Sequence, residues 1–176
     1  MKAEAVSKDK SANESRWWKL MWNTRLGIRY HMYAQSLYQK IAKFITIITL
    51  AVSSAAFTVV LNKNENLALT FTLMAALLQI LDLVIDTKSK ATLHSTLRQK
   101  YLQIEVLLQE HDSLTKKEAH IFNQTRAAIE LEEPPLIKHL MTYCHNEQAR
   151  VEYGENSDKQ VPIGCWTRLK ILLTPF

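Results

Sequence analysis

The chain has 176 residues, which is the length of one domain, and it carries a formal net charge of +5. Hydrophobic residues make up 47% of it, but they are concentrated in two runs, so the average hides strongly polar flanks. With only three glycines and no recurring β-alternation, the composition excludes a β-rich fold and predicts an all-α protein.

The segment before the first apolar run divides into a tail and a helix. Residues 1–15 are polar and charged with almost nothing to bury, which predicts a disordered tail. Residues 16–43 predict a basic amphipathic helix that runs on into the apolar run, because large apolar side chains recur every three or four positions. This stripe comprises Trp18, Trp22, Leu26, Tyr30, Tyr33, Leu37 and Ile41. Its tryptophans and interleaved basic residues also fit a helix resting on anionic lipid headgroups, whereas nucleic-acid binding is not expected.

Residues 44–86 predict an antiparallel transmembrane hairpin. The apolar runs 44–61 and 67–85 each approach the roughly 20 residues that cross a hydrocarbon core as a helix. Only the polar residues 62–66 separate them, so the two helices must be antiparallel neighbours. Asp82 is the one ionised residue within either run. The alternative is a helical hairpin buried in a soluble bundle, since both runs contain Thr and Ser.

The charges that flank the hairpin predict its orientation. Basic residues precede the first run and follow the second, whereas the linker carries one Lys and one Glu. By the positive-inside rule we expect both termini to lie in the cytoplasm. We therefore expect a protein of the inner (cytoplasmic) membrane that contacts its lipids. The first apolar run starts about forty residues into the chain, which argues against a cleavable signal peptide. Cys144 and Cys165 then lie in reducing cytoplasm, so we expect no disulfide.

Both apolar runs carry polar residues at three-four spacing, and these are the candidate membrane site. They are Thr46, Thr49 and Ser53 in the first run and Thr72, Gln79, Asp82 and Asp86 in the second. One interpretation is close helix packing with interhelical hydrogen bonds, with Asp82 paired to Lys40 or Lys43. The other is a water-filled path through an oligomer, in which a ring of carboxylates favours cations.

Residues 87–152 predict a cytoplasmic helical region, and its first helix runs from Thr87 to about Glu110. The apolar stripe of this helix comprises Leu93, Leu97, Tyr101, Ile104 and Leu108. Because antiparallel spans leave the membrane side by side, this stripe and that of the N-terminal helix can bury each other or meet copies in a homo-oligomer. The candidate stalk or oligomer contacts are Trp22, Tyr30, Tyr33, Leu97, Tyr101 and Ile104.

The remainder of the cytoplasmic region predicts two further helices. Thr115 and Glu118 form a capping box that opens a helix, which should run to about Glu132 and end before the two prolines that follow. Another helix is expected over about 136–152. Residues 153–176 predict a loop and a short basic amphipathic tail that docks on the stalk or on the membrane surface.

No arrangement typical of catalysis or metal binding occurs in the sequence. His139, Cys144 and His145 are neighbours along the chain, but no second pair at metal-ligand spacing accompanies them. Cys144 and His145 point about 100° apart on a helix, so they cannot act together as nucleophile and base. A glycine-rich phosphate loop and a nucleophile elbow are absent as well. We therefore expect no enzyme activity and neither a cofactor nor a metal.

Two short segments carry a resemblance to a known family. Ile129–Leu136 contains Glu132, Glu133, Pro134 and Pro135, and Tyr143–Glu147 contains Cys144, His145, Asn146 and Glu147. Together with the basic N-terminal helix and the two spans, they resemble the SLATT-type proteins, which are small two-span membrane proteins of bacteria. The resemblance implies an effector of a defence or conflict system that forms or disrupts pores when a partner sensor is triggered, for instance one that makes or detects a nucleotide signal. The alternative is structural, with a sharp bend at the prolines and ordinary packing by Cys144.

Three functions remain open from the sequence. The first is a pore-forming or membrane-disrupting effector that acts as an oligomer. The second is a non-toxic membrane scaffold or accessory subunit that binds a cytoplasmic partner through its helical stalk. The third is a holin-like protein, which the large cytoplasmic region disfavours.

Overall fold

The computed structural model describes residues 2–61, 65–155 and 157–164, and every regular element among them is a helix. The helices are α1 (Lys2–Leu61), α2 (Glu65–Ile85), α3 (Thr87–Gln109), α4 (Lys116–Glu130) and α5 (Lys138–Tyr153). The all-α fold predicted from the sequence is therefore confirmed. Residues 62–64 of the predicted linker and the predicted C-terminal tail from Cys165 onward lie outside the described residues.

The described residues form two compact units, and α1 and α3 contribute to both. The polar unit comprises residues 2–34 and 94–164, and the apolar unit comprises residues 35–93. Both predicted spans therefore fall in the apolar unit, together with the start of α3.

The two apolar helices of the predicted hairpin are present. Two helical stretches, Asp9–Val60 and Glu65–Gln109, contain windows that are long and apolar enough to cross a membrane. Only 11% and 6% of these windows are buried within the chain, whereas the core helix of a soluble protein is mostly buried. Most of their surface is therefore free to contact lipid or other copies.

In the apolar unit, α1 and α2 each pack along one face. Residues of reduced exposure recur at alternating spacings of three and four, which is the a/d pattern of a left-handed helix pair. We call them the seam: Ala42, Ile45, Thr49, Val52, Ala56 and Val59 of α1, and Ala68, Phe71, Ala75, Leu78, Asp82 and Ile85 of α2. Both faces lie in the same compact unit, as the predicted antiparallel hairpin requires. The alanines of the seam allow a close approach of the two helices.

The boundary between α2 and α3 falls at Asp86, the one non-glycine residue with positive φ among the described residues (51°). Helical hydrogen bonds continue across it, from the Asp86 N–H to the Asp82 carbonyl (2.9 Å) and from the Lys90 N–H to the Asp86 carbonyl (3.1 Å). The buried Thr87 hydroxyl donates to Oδ1 of Asp82 at 2.8 Å. Aspartate enters the left-handed region more readily than most residues, so both acids stabilise this junction.

α1 is the central helix of the polar unit. α3 runs antiparallel to it, because the Trp17 indole N–H donates to the Leu108 carbonyl (2.9 Å) whereas Gly27 lies against Tyr101. The α3 stripe residues Leu97, Tyr101, Ile104 and Leu108 are all buried. α5 packs on another side of α1, where the buried contact consists of Tyr30, Ala34, Leu140 and Cys144. The α3 stripe is thus mostly covered within one chain, whereas most of the α1 stripe is only partly buried.

Arg25 connects three helices of the polar unit. Its Nε lies 2.9 Å from Glu105 of α3, and its Nη1 lies 2.9 Å from Glu152 of α5. All three side chains are at most one-third exposed. The fork of the guanidinium lets one cation satisfy two carboxylates, which fixes the position of both helices against α1.

The ends of α4 and α5 follow signals that the sequence carries. Both reciprocal hydrogen bonds of the capping box between Thr115 and Glu118 are present. α4 ends at Glu130, two residues earlier than predicted. α5 ends at Tyr153 and is capped by Gly154, whose φ of 91° is a conformation that glycine adopts without strain.

Two features of α1 differ from the prediction. Residues 2–15, predicted as a disordered tail, are the first turns of α1. They contain no Gly or Pro, and the N–H of Leu114 bonds to the carbonyl of Asn13 (3.1 Å), which ties this end to the loop before α4. The buried face also differs, because α1 is covered on several sides. Of the predicted stripe only Tyr30 is fully buried, and it is joined by Leu20, Met21, Thr24, His31 and Ala34.

Candidate functional site

The turn after α4 carries the first half of the motif, Glu132, Glu133, Pro134 and Pro135. The Glu132 carboxylate lies 2.6 Å from Nζ of Lys100 on α3, but both side chains are partly exposed, so this pair contributes little to stability. Glu133 is largely buried instead. The two prolines cannot continue the helix, so they fix the bend that follows this carboxylate.

Glu133 accepts hydrogen bonds from buried side chains of α1 and α3. Its Oε1 accepts from the Tyr101 hydroxyl at 2.7 Å and lies 3.1 Å from Nε2 of His31. Nδ1 of His31 lies 2.9 Å from Nδ1 of His94. His31, His94 and Tyr101 are at most 3% exposed. We call these four residues the histidine cluster.

One hydrogen bond joins the two imidazoles of the histidine cluster, and its proton lies on one of the two Nδ1 atoms. An ionised carboxylate can only accept, so Nε2 of His31 carries a proton, and one of the two Nδ1 atoms must carry another. Burial, followed by the charge of His31, lowers the pKa of His94 to about 4. His94 is therefore neutral near pH 7, and at most one positive charge faces Glu133.

In the same cluster, Glu133 is held as a carboxylate that accepts hydrogen bonds, and Tyr101 is held as a phenol that donates one. Burial alone would raise the pKa of Glu133, but the hydrogen bonds from His31 and Tyr101 outweigh it and lower the pKa. Burial and the adjacent carboxylate raise the pKa of Tyr101, so its phenol stays protonated and donates. A buried polar network whose members are satisfied in this way fixes the relative position of the elements that supply it.

A cavity of about 420 Å³ adjoins the histidine cluster, and His31, Tyr101 and Glu133 form part of its wall. A Cβ at Gly27 would lie 2.9 Å from the Tyr101 ring, so glycine is required for this close approach of α3 to α1. No group of three or more His, Cys, Asp or Glu side chains among the described residues is placed to hold a metal ion.

The second half of the motif lies on α5 and packs against α1. Cys144 is completely buried, and burial raises the pKa of its thiol to about 12, which leaves it unreactive. The His145 ring meets the ring of Trp22 edge-on at 5.7 Å, and Tyr143 meets Tyr33 in the same way at 5.5 Å. The candidate contact residues Trp22 and Tyr33 therefore contact α5 within the chain.

The last two motif residues connect α5 to other parts of the polar unit. The Asn146 side chain donates to the Val161 carbonyl (2.7 Å) and accepts from the Val161 N–H (2.8 Å). Glu147 lies 3.2 Å from Arg29 of α1. The contacts of Cys144–Glu147 thus join α5 to α1 and to the segment after α5, which fits the structural alternative for this motif.

Most of the polar residues predicted in the two spans lie on one flank of the hairpin. Each directly follows a d position of the seam, and each is exposed. Because the helices are antiparallel, the residues that follow d lie on the same side of both helices. We call this set the polar edge: Thr46 and Ser53 of α1, and Thr72, Gln79 and Asp86 of α2.

The opposite flank of the hairpin is apolar. It consists of the residues that precede each a position of the seam: Ile41, Ile48 and Ala55 of α1, and Leu67, Met74 and Leu81 of α2. We call it the apolar edge. The hairpin therefore presents two chemically different flanks to whatever surrounds it.

Gln79 differs from its neighbours on the polar edge in its hydrogen bonding. The Thr46 hydroxyl donates to the Ala42 carbonyl (2.9 Å), and the Thr72 hydroxyl donates to the Ala68 carbonyl (2.8 Å). Hydroxyls bonded in this way can face lipid at low cost. The Gln79 amide makes no hydrogen bond with any described residue.

Thr49 and Asp82, predicted on the same polar faces, lie in the seam instead. The structure brings Asp82 to Thr87 at the start of α3 and not to the polar edge. Its carboxylate therefore serves the junction between α2 and α3, which sequence spacing alone did not indicate.

Sequence reasoning missed both histidines of the histidine cluster. His94 lies three residues before Leu97 and seven before Tyr101, so it shares their buried face, but the predicted stripe included the adjacent Leu93 instead. His31 lies outside the predicted stripe of α1, and no local signal marks it. It is buried because α1 is covered on several sides in the folded chain.

Comparison with family models, with curated proteins and with solved structures finds no match to this chain. The similarity to SLATT-type proteins stays a prediction that rests on the motif and on the order of the elements.

Proposed function

We propose that the chain is an integral membrane protein with two spans, and that copies associate through the polar edge to open a conducting or disruptive path across the bilayer. The observation that carries the proposal is the polar edge itself, a line of exposed polar residues along one flank of the hairpin that includes the unbonded amide of Gln79.

The exposed surface of α2 supports the membrane location. Leu69, Leu73, Leu83 and Val84 are each at least 60% exposed. They lie on the outer face of α2, opposite the seam, and the exposed Met74 and Leu81 extend this apolar surface onto the apolar edge. A wide apolar surface of this kind is typical of a helix solvated by lipid. Basic residues precede and follow the hairpin in the sequence. By the positive-inside rule, this distribution favours an orientation with both termini in the cytoplasm, and hence the inner membrane.

The unbonded amide of Gln79 supports association. An amide without a hydrogen-bond partner in hydrocarbon costs several kcal/mol, and a bond across a helix interface recovers about 1 kcal/mol or more. Contact between copies along the polar edge gives Gln79 a partner. When several hairpins close a ring, the same edge lines a polar path whose cytoplasmic end is marked by Asp86.

The biological role follows from the resemblance to SLATT-type proteins. An effector of a defence or conflict system would use such a path to dissipate ion gradients after a partner sensor is triggered. The polar unit, on the cytoplasmic side in this proposal, is the part that such a partner can reach.

Membrane potential after induced expression tests the proposal. We expect expression of the chain to depolarise cells, and Gln79→Leu to weaken the effect several-fold at equal abundance in the membrane. Thr70→Val is the matched control, because the exposed Thr70 hydroxyl already donates to the Asn66 carbonyl (2.9 Å) and lies off the polar edge. Depolarisation that is unchanged in Gln79→Leu would contradict the role of the polar edge. A chain that inserts without depolarising would contradict the effector and favour the membrane scaffold.

A further inference from the structure

A second cavity of the polar unit, of about 440 Å³, lies between α1 and α4. Four cationic side chains line it: Arg16 and Lys19 of α1, and Lys116 and Arg126 of α4. None of the described residues in its wall is acidic. We call it the basic cavity.

Three of the four cations of the basic cavity form no ion pair with any described residue. The Arg16 guanidinium donates to the side-chain oxygen of Asn13 and to the carbonyl of Leu114, which orients it without cancelling its charge. Lys19 and Lys116 are exposed and form no ion pair with any described residue.

Arg126 is the one cation of the basic cavity with an acidic neighbour. Its Nε lies 3.4 Å from Glu130, one turn further along α4, and the Glu130 side chain is about half exposed. This pair offsets one charge in part, so the wall keeps an excess of positive charge. Like charges gathered around one space repel each other, and an anion that enters relieves the repulsion.

We propose that the basic cavity binds a small phosphate-bearing anion. The two guanidinium groups have the planar fork that matches phosphate oxygens, and the two ammonium groups add point charges around the same space. Asn23, which also lines the cavity, supplies a neutral amide. The volume falls within the range of about 300 to 1,000 Å³ that is usual for small-ligand sites. A nucleic-acid strand, by contrast, needs a basic surface that extends along its backbone.

Titration calorimetry with pyrophosphate tests this site, using the full chain in micelles of a nonionic detergent. We expect saturable binding that weakens as salt rises. Lys116→Gln should weaken binding about tenfold, because it removes one charge-assisted contact. Lys117→Gln is the matched control: Lys117 is the next residue on α4, is exposed, and does not line the cavity.

Each contrary outcome has a distinct meaning. Absence of saturable binding by the unaltered chain would overturn the proposal, as would an equal loss in Lys117→Gln. Loss of pyrophosphate binding when the micelles contain phosphatidylglycerol would identify a lipid headgroup as the occupant and overturn the assignment to a free anion. The binding site does not depend on the proposed membrane function, because its wall belongs entirely to the polar unit.

Discussion

Gly27 of α1 lies directly against the Tyr101 ring of the histidine cluster. A Cβ there would lie 2.9 to 3.0 Å from three atoms of the Tyr101 ring. That ring cannot move freely, because it stacks on His31 at 5.5 Å and donates to Glu133.

Gly27→Ala should therefore destabilise the polar unit. Overpacking costs about 1 to 3 kcal/mol, which exceeds the gain of up to about 1 kcal/mol in helix propensity. Urea unfolding followed by tryptophan fluorescence measures it, since Trp17, Trp18 and Trp22 all lie in this unit. Gly164→Ala, where a Cβ meets nothing within 4 Å, is the control. Equal stabilities of the two variants would contradict the proposed steric conflict.

His94 makes the stability of the polar unit depend on pH. Its pKa is about 4 in the folded chain and about 6.5 when unfolded, so the unfolded chain binds more protons between these values. Stability should consequently fall as pH decreases through this window, by about 2 kcal/mol between pH 7 and pH 5. Glu133, whose pKa is lowered by His31 and Tyr101 against the effect of burial, adds to the loss only at lower pH.

Urea unfolding at the two pH values checks this prediction. His94→Gln should remove most of the dependence on pH, whatever its effect on stability at pH 7. His120→Gln, which alters an exposed histidine of α4, should leave the dependence intact. If stability is equal at pH 7 and pH 5 in the unaltered chain, His94 is not held neutral by burial.

At the scale of elements, the hairpin combines a tight seam with two unlike flanks. The seam residues follow a three-four alternation, which places every residue after d on one side. Substitutions on the polar edge and on the apolar edge of α2 therefore alter opposite sides of the same helix, and comparing them tests which side forms an interface.

Disulfide crosslinking in membranes should distinguish the two flanks. We expect Thr72→Cys on the polar edge to give covalent dimers under mild oxidation, because the polar edges of two copies face each other in the proposed assembly and this substitution keeps the Gln79 amide. Met74→Cys on the apolar edge should give few. Both are made in a Cys165→Ser background, where the buried Cys144 thiol does not compete. Equal crosslinking at the two positions would contradict an interface along the polar edge.

The helix boundaries show how far local sequence signals reach. The capping box at Thr115 and the stop at Gly154 were both predicted from the sequence, since each acts on backbone groups within one turn. The first turns of α1 were not predicted, because their polar composition resembles that of a disordered tail. The hydrogen bond that ties them down, from the Leu114 N–H to the Asn13 carbonyl, joins residues about one hundred positions apart, so no local signal indicates it.

For the whole molecule, the polar unit depends on contacts between residues that are distant in sequence. Arg25 pairs with Glu105 and Glu152, and Gln148 donates to the Trp22 carbonyl at 3.0 Å. None of these pairs falls within one helix, so helical periodicity does not predict them. The same holds for both cavities, whose walls combine residues of several elements.

The sequence by itself determined the all-α fold, the two apolar helices, the start of α4 and the end of α5, because composition, apolar length and capping act locally. Only the tertiary structure decided which residues form the histidine cluster, the polar edge and the basic cavity. In each case the reason is physical: burial and charge environment depend on which faces of different helices meet. Asp82 illustrates this. Its sequence spacing predicted that it shares the polar face of Gln79, whereas in the folded chain it lies in the seam and accepts a hydrogen bond from Thr87.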